Sequence, residues 1–453
     1  MNNIWKILAV TLIVSLLSGC GRSKDNEFSF PEEVPEPAMK QEEKKPVIIE
    51  PEEEPAEEPV RPEEPASEEP EADAGEGTAL STAVNHFNWR LFETQTPEGN
   101  LFYSPFSIEA ALGMAALGAG EDTRAELTRA LGIDDYDAFC REMSAFTAYP
   151  SSEKAKLTTA NSLWIADSLP MSPEFEKSVK PDAEKIYNAE VFSVDFAGNL
   201  EKTKEKISGW VKEKTGGLIP DYEPVASQET VMDLINAVYF YGEWQKKFVE
   251  EETYSETFHG KHGDRDVDFM HLSDEYYKLV TRDGITALSI PYENPDLVMD
   301  ILIPENKEGE KDITALFTTL DEEGKDAFFE ALDDANEQEL KELAVPKYTM
   351  DITFNNLKGA LEKLGMKEVF VSSGSKFPGF AENLYLSDIA HRAKVEVDEK
   401  GSRAAAVTEE TMGVTAVMPE TEAIRFRADV PFIFTIRNRA DNVILFTGRV
   451  NEL

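Results

Sequence analysis

The spacing of apolar residues changes several times along the chain, and each change predicts an element. Val84, Phe87, Leu91 and Phe92 recur at helical spacing and predict an amphipathic first helix. From Glu109 to Gly118 the residues are mostly Ala, Gly, Leu and Met, which predicts a helix slim enough to pack closely on a sheet. Thr159–Ile165 reads as a central strand. Leu234–Phe240 reads as a buried strand with one polar interruption, Asn236. Ile207 to Ile219 predicts a helix whose Gly216-Gly217 pair forms the C-cap. Leu288–Tyr292 and Val298–Pro304 read as a strand pair, and Pro431–Ile436 and Ile444–Val450 as two closing strands.

Val395-Glu396-Val397-Asp398 alternates at period two and predicts a strand, as do Ile424 and Phe426. Between them lie more than twenty residues without a strong period. A compact domain rarely carries so long a loop unless the loop has a function. Its first part is small and β-branched: Gly401, Ser402, Ala404, Ala405, Ala406, Val407 and Thr408. Such residues fit a crowded sheet as an added strand. Its distal part, Gly413 to Met418, is uncharged and is expected to be accessible to a protease.

The N-terminal part reads differently. Lys6 precedes an apolar run, Ile7 to Leu17, that is short for a membrane span. The run ends Leu17-Ser18-Gly19-Cys20, which resembles a bacterial lipobox. That resemblance implies a signal peptide over residues 1–19, a lipid on Cys20 and a membrane contact through it. Residues 20–78 are dominated by Pro, Glu and small residues, so they cannot bury enough apolar surface to fold and are expected to form an extended tether. The folded domain is expected over residues 79–453. The expected location is outside the cytoplasm, anchored to a bacterial cell envelope.

Net charge is −43 and the pI is about 4.4. Such a surface repels nucleic acid phosphates and heparin-type polyanions. With Cys20 assigned to lipid, Cys140 is left alone, so no intramolecular disulfide is expected, and Cys140 reads as a buried, inert thiol. His259, His262 and His271 lie in an acidic stretch and read as surface residues rather than metal ligands. No metal site and no cofactor are expected.

Several stretches together resemble the serpin family. They include Asn100-Leu101-Phe102-Tyr103-Ser104-Pro105-Phe106-Ser107-Ile108, Thr159–Ile165, Ile207–Ile219, Leu234–Trp244, Ile389-Ala390-His391-Arg392-Ala393 and the hinge-like Glu399–Thr408. The resemblance spans about Ala79 to Leu453. It implies an α+β fold of three β-sheets and about eight or nine helices, with an exposed reactive-centre loop. It implies that Ser104, Ser107, Asn236 and His391 lie in a shutter beneath the main sheet, and that Trp244 lies at the top, where the loop enters. Glu399, Gly401, Ser402, Ala404, Ala405, Ala406 and Thr408 would form the hinge.

The family resemblance also implies a mechanism. A serine protease, or a cysteine protease, attacks the loop and forms an acyl-enzyme. The cut loop then joins the main sheet, trapping the protease covalently. The chain is therefore expected to be a monomeric inhibitor and not an enzyme. Family spacing places the scissile bond at Thr415-Ala416, with Ala416-Val417 and Val417-Met418 as alternatives. The small or β-branched residues before these bonds suit elastase-like or subtilisin-like pockets.

Alternation assigns Ser402, Ala404, Ala406, Thr408, Glu410, Met412 and Val414 to the core face of an inserted strand. Arg403, Ala405, Val407, Glu409, Thr411 and Gly413 are then expected to face solvent. Glu410 conflicts with its assignment, because a buried unpaired carboxylate is costly. The rival reading is a non-inhibitory serpin, a protease substrate or binding module. A Ser/His hydrolase is disfavoured because no Gly-x-Ser-x-Gly elbow accompanies His391, Ser104 and Ser107.

Overall fold

The computed structural model describes residues 77–147, 154–217, 219–307, 312–354, 356–402 and 423–453. Cys20, the expected tether, and loop positions 403–422 lie outside them. The loop positions include Ala404, Ala405, Ala406, Thr408, Thr415, Ala416, Val417 and Met418.

In chain order the first elements are α1 (Ala79–Glu93), β1 (Leu101–Tyr103), α2 (Pro105–Leu117), α3 (Glu121–Leu131), α4 (Tyr136–Thr147) and β2 (Ala155–Ala166). Next come α5 (Lys180–Tyr187), β3 (Ala189–Val194), α6 (Leu200–Lys214) and β4 (Met232–Glu243). Five strands follow: β5 (Thr253–Gly260), β6 (Gly263–Leu272), β7 (Glu275–Arg282), β8 (Ile285–Pro291) and β9 (Leu297–Pro304). Then come α7 (Ile313–Phe317), α8 (Glu322–Asp334), β10 (Glu337–Pro346), β11 (Tyr348–Thr353) and α9 (Leu357–Lys363). The chain closes with β12 (Asp388–Asp398), β13 (Gly401–Ser402), β14 (Ile424–Arg427), β15 (Phe432–Asn438) and β16 (Val443–Val450). The described residues thus hold nine α-helices, within the expected number.

Two hydrogen-bonded networks carry the strands. One has six strands in the order β11-β12-β13-β4-β2-β3. The other has ten, β1-β16-β15-β9-β8-β7-β10-β6-β5, with β14 branching from β10. The larger network is two sheets sharing one strand. Residues Glu337–Leu340 of β10 pair with β7, whereas Leu343–Pro346 pair with β6. With the six-stranded sheet this makes the three expected sheets.

Helix α2 starts four residues before the predicted point because Ser104 caps it. The Ser104 hydroxyl accepts the Ser107 amide at 3.1 Å, and Pro105 occupies the first turn, where no amide hydrogen is needed. Every residue of α2 but Leu117 is buried. Its small side chains let it lie against β4, β2 and β16. At the end of α6, Gly216 and Gly217 adopt φ of 62° and 86°, and the Gly217 amide returns to the Lys212 carbonyl at 2.7 Å. Left-handed backbone of this kind favours glycine and closes the helix as predicted.

The six-stranded sheet is covered on both faces. Leu234 and Val238 of β4 belong to the main core, whereas Ile235 and Ala237 cluster with Ile207, Trp210 and Val211 of α6. The face expected to meet solvent on insertion is therefore covered at its middle by α6.

Candidate functional site

Strands β12 and β4 are neighbours and run parallel, Asp388–Lys394 pairing with Asp233–Tyr239. Above these rungs they part. Beyond Asp398 the chain turns, and Gly401 and Ser402 lie between them as β13, antiparallel to both. Ser402 pairs with Val397 on one side and Gly242 on the other. Gly401 pairs with Asp398 and Glu243. Close approach explains this glycine, since a Cβ would run into the Gly242 carbonyl oxygen. Gly401 and Ser402, near the start of the long loop, are therefore already a strand of the sheet, and residue 403 follows directly.

Polar contacts hold this wedge in place. Ser402 is 0% exposed, and its Oγ lies 2.9 Å from the Tyr292 hydroxyl. The Tyr292 ring stacks on Trp244 with centroids 4.7 Å apart. The Trp244 indole donates to the Asp398 carbonyl and its amide to the Lys400 carbonyl, both at 2.9 Å. Glu399 is buried and accepts from Lys347 Nζ at 2.8 Å and from the Thr253 hydroxyl at 2.9 Å. Burial pushes the Glu399 carboxyl up, but these donors outweigh it and hold it below its ordinary value.

Lower on the seam, a second cluster joins both strands to α2. His391 of β12 and Asn236 of β4 are register partners, and His391 Nδ1 lies 2.9 Å from Asn236 Oδ1. His391 Nε2 accepts the Ser104 amide at 3.0 Å. An amide can only donate, so Nδ1 carries the imidazole hydrogen and donates to Asn236. Asn236 Nδ2 in turn reaches the Ser107 carbonyl (3.0 Å), Ser107 Oγ (2.5 Å) and Asn161 Oδ1 (2.6 Å). The structure thus brings Ser104, Ser107, Asn236 and His391 together, and sets Trp244 beside Glu399, Gly401 and Ser402.

Burial holds His391 neutral, with its pKa lowered to about 3. Below about pH 6.5 the unfolded chain gains a proton that the folded chain refuses. Stability therefore falls as pH drops from 6.5 toward 3, by up to about 1.4 kcal/mol per pH unit. The expected result is a urea midpoint that declines over this range, with a smaller slope in His391→Asn. Equal slopes in both proteins would refute the assignment.

Among the described residues the hydrolase geometry is not formed at this cluster. His391 meets the Ser104 backbone amide, while Ser104 Oγ donates to the Leu445 carbonyl at 2.6 Å. No imidazole nitrogen is poised to take the hydroxyl proton.

His271 corrects an expectation. It is 5% exposed rather than on the surface, because Tyr254 stacks over it at 4.2 Å. His259 and His262 are exposed, as read. Cys140 is half-buried, 3.4 Å from the Tyr187 hydroxyl, and burial pushes its thiol up. Sequence reasoning did not single out Tyr292, Asn161, Lys347 or Thr253. For Asn161 a signal existed, a polar residue inside a buried strand. It proves to be the register partner of Asn236.

Comparison with known proteins agrees with this geometry. The family described as Serpin (serine protease inhibitor) matches residues 82–453. An uncharacterized serpin-like protein of Thermococcus kodakarensis is 32% identical over 381 residues, which is 83% of this chain and 86% of that protein. The leukocyte elastase inhibitor of Bos taurus is 34% identical over 390 residues, 82% of this chain and 99% of the relative. The native state of tengpin, a thermophilic serpin, superposes with a TM-score of 0.72 at 27% identity, covering 83% of this chain and 94% of tengpin. A chain matched by the family over residues 82–453, with a loop feeding a parting seam between two parallel strands, belongs to the serpins.

Proposed function

We propose that this serpin inhibits serine proteases with shallow pockets by suicide-substrate trapping. The carrying observation is β13, a two-residue strand that already occupies the top of the seam and leads into the loop. Extending its register is simple, because β13 is antiparallel to both neighbours. Six residues past Ser402, Thr408 reaches the rung of Asn236 and His391. The small residues Ala404 and Ala406 would take the core-facing rungs before it. Insertion gives up one backbone ladder, between β12 and β4, and gains two. The net gain is one ladder, on the order of ten bonds at roughly 1 kcal/mol each.

Cleavage is assigned to Thr415-Ala416, with Ala416-Val417 and Val417-Met418 as alternatives. Elastase-like and subtilisin-like enzymes are the proposed targets. A relative named as an elastase inhibitor supports that class. Incubation with one protease of each type, followed by denaturing gel and mass spectrometry, tests the reading. An SDS-stable complex and a new N-terminus at Ala416, Val417 or Met418 is the expected result. Clean cleavage without a complex would leave a substrate serpin instead.

That second reading has one observation behind it. On insertion in the same register Glu410 would lie between Leu234 and Ile389, which are 0% and 4% exposed. A carboxylate there costs several kcal/mol or must take up a proton. Glu410→Leu is therefore expected to lower the inhibition stoichiometry toward one and raise the melting temperature of the cleaved form. Unchanged values would remove Glu410 as a brake on insertion. For residues 1–78 the proposal is export and lipid anchoring through Cys20 on an extended tether. Mass spectrometry of the native protein checks it by finding, or not finding, an acylated Cys20.

A further inference from the structure

One buried titratable group takes no part in the seam. His271 sits on β6 in the middle of a charged cluster that joins β5, β10 and β14. Its Nε2 lies 3.4 Å from Glu256 Oε2 on β5, and its Nδ1 lies 3.8 Å from Glu342 Oε1 on β10. Nε2 has no hydrogen-bond partner despite its burial. Tyr254 of β5 covers the ring, and Glu252 adds charge from the turn before β5.

The same two glutamates hold β14. Arg427 pairs with Glu256 at 2.6 Å, with Glu342, and with Asp429 at 3.3 Å. Arg425 pairs with Glu342 at 2.7 Å. Lys307 binds the Arg427 carbonyl at 2.6 Å and Asp429 at 2.5 Å. Among the described residues β14 pairs with β10 alone, through four rungs and a register shift. Besides these rungs and the buried Phe426, its hold on the body is ionic, and Arg427 is the centre of that part. β14 also begins one residue past Ala423, where the loop rejoins the body.

We propose that His271 is an acid-responsive release for β14: its protonation draws Glu256 and Glu342 off Arg427 and loosens the distal anchor of the loop. With His271 neutral, Glu256, Glu342 and Asp429 already have cationic partners in Arg425, Arg427 and Lys307. A proton on His271 adds a cation beside Arg427 that competes with it for Glu256 and Glu342. Burial holds the imidazole below its ordinary value, Glu256 and Glu342 pull it up, and Arg427 pushes it down. A group that resists protonation in one arrangement favours, on acidification, the arrangement in which it is better solvated. Loosening β14 withdraws Arg427 from the ring and frees Glu256 and Glu342 to solvate the imidazolium. Its consequence for protease capture rests on the inhibitor reading above, but the release itself does not.

Hydrogen exchange on the full chain tests the release. Protection factors over residues 424–427 are expected to fall by about tenfold or more between about pH 7.5 and about pH 5, while β15 and β16 keep theirs. His271→Phe keeps a ring under Tyr254 and cannot titrate, so the fall should vanish in it. A fall that persists in His271→Phe, or no fall in the wild type, overturns the proposal. Should that variant not fold, NMR of the five-histidine wild type decides. The His271 resonance must titrate reversibly over the range in which protection is lost. A His271 that stays neutral until the whole chain unfolds also overturns it. Failure of protease trapping at neutral pH bears on the inhibitor reading only and leaves this result intact.

Discussion

Ser402→Glu is expected, on the proposed trapping mechanism, to turn an inhibitor into a substrate. Ser402 is fully buried between Val397 and Gly242, and its hydroxyl meets Tyr292. A glutamate there must bury a charge or take up a proton, at a cost of several kcal/mol. Such a group is expected to expel β13 from the seam in the uncut protein, and on the proposed mechanism the cost of returning it then falls on the first step after cleavage. The protease then hydrolyses the acyl bond before the loop can move. Each 1.4 kcal/mol added to that step changes the partition by about tenfold. Titration of residual protease activity should give a stoichiometry raised by roughly tenfold or more, with the SDS-stable complex lost and loop cleavage undiminished. Ser402→Thr, still small and hydroxylated, should stay near wild type. A near-normal stoichiometry for Ser402→Glu would mean that insertion does not start at β13.

Asn236→Ala carries the second large effect, on stability. The Asn236 side chain spans α2, β2 and β12 through Ser107, Asn161 and His391. Removing it orphans the His391 Nδ1 hydrogen and the Asn161 carbonyl oxygen, both in buried side chains. Each orphan costs about 1–3 kcal/mol, so a loss on the order of 3 kcal/mol or more is expected from urea unfolding. The His391–Asn236 bond also crosses the seam that would part on the proposed mechanism. The variant should therefore lose inhibitory activity on storage faster than the wild type, without being cut. A loss under about 1 kcal/mol would show that the cluster is compensated by water or by repacking.

Much of this arrangement could be read from the sequence, for specific reasons. The alternation in Val395–Asp398 and the apolar run Leu234–Phe240 are local signals, and they gave β12 and β4 their buried faces. Contacts across the seam are not local. Tyr292 is 110 positions from Ser402, and nothing in either neighbourhood pairs them. His271 misled because its acidic surroundings resemble a solvated strand. One of those acids, Glu256, proved to be a partner of Arg427, from a strand more than 150 positions later. The face opposite the core was assigned to solvent for a similar reason. Alternation tells which residues share a face, but not that α6 lies over it.

The strand order has a consequence for the clipped protein. Residues after the loop supply β14, β15 and β16, and β15 lies between β9 and β16 inside the ten-stranded network. β16 also pairs with β1, from the opposite end of the domain. A cut in the loop severs the covalent chain but leaves this C-terminal fragment built into the interior. The two pieces should migrate as a single particle in native chromatography and separate only in denaturant. Loop cleavage is thus a change of connectivity within one intact body, and a native mass measurement that detects only lost fragments would miss it.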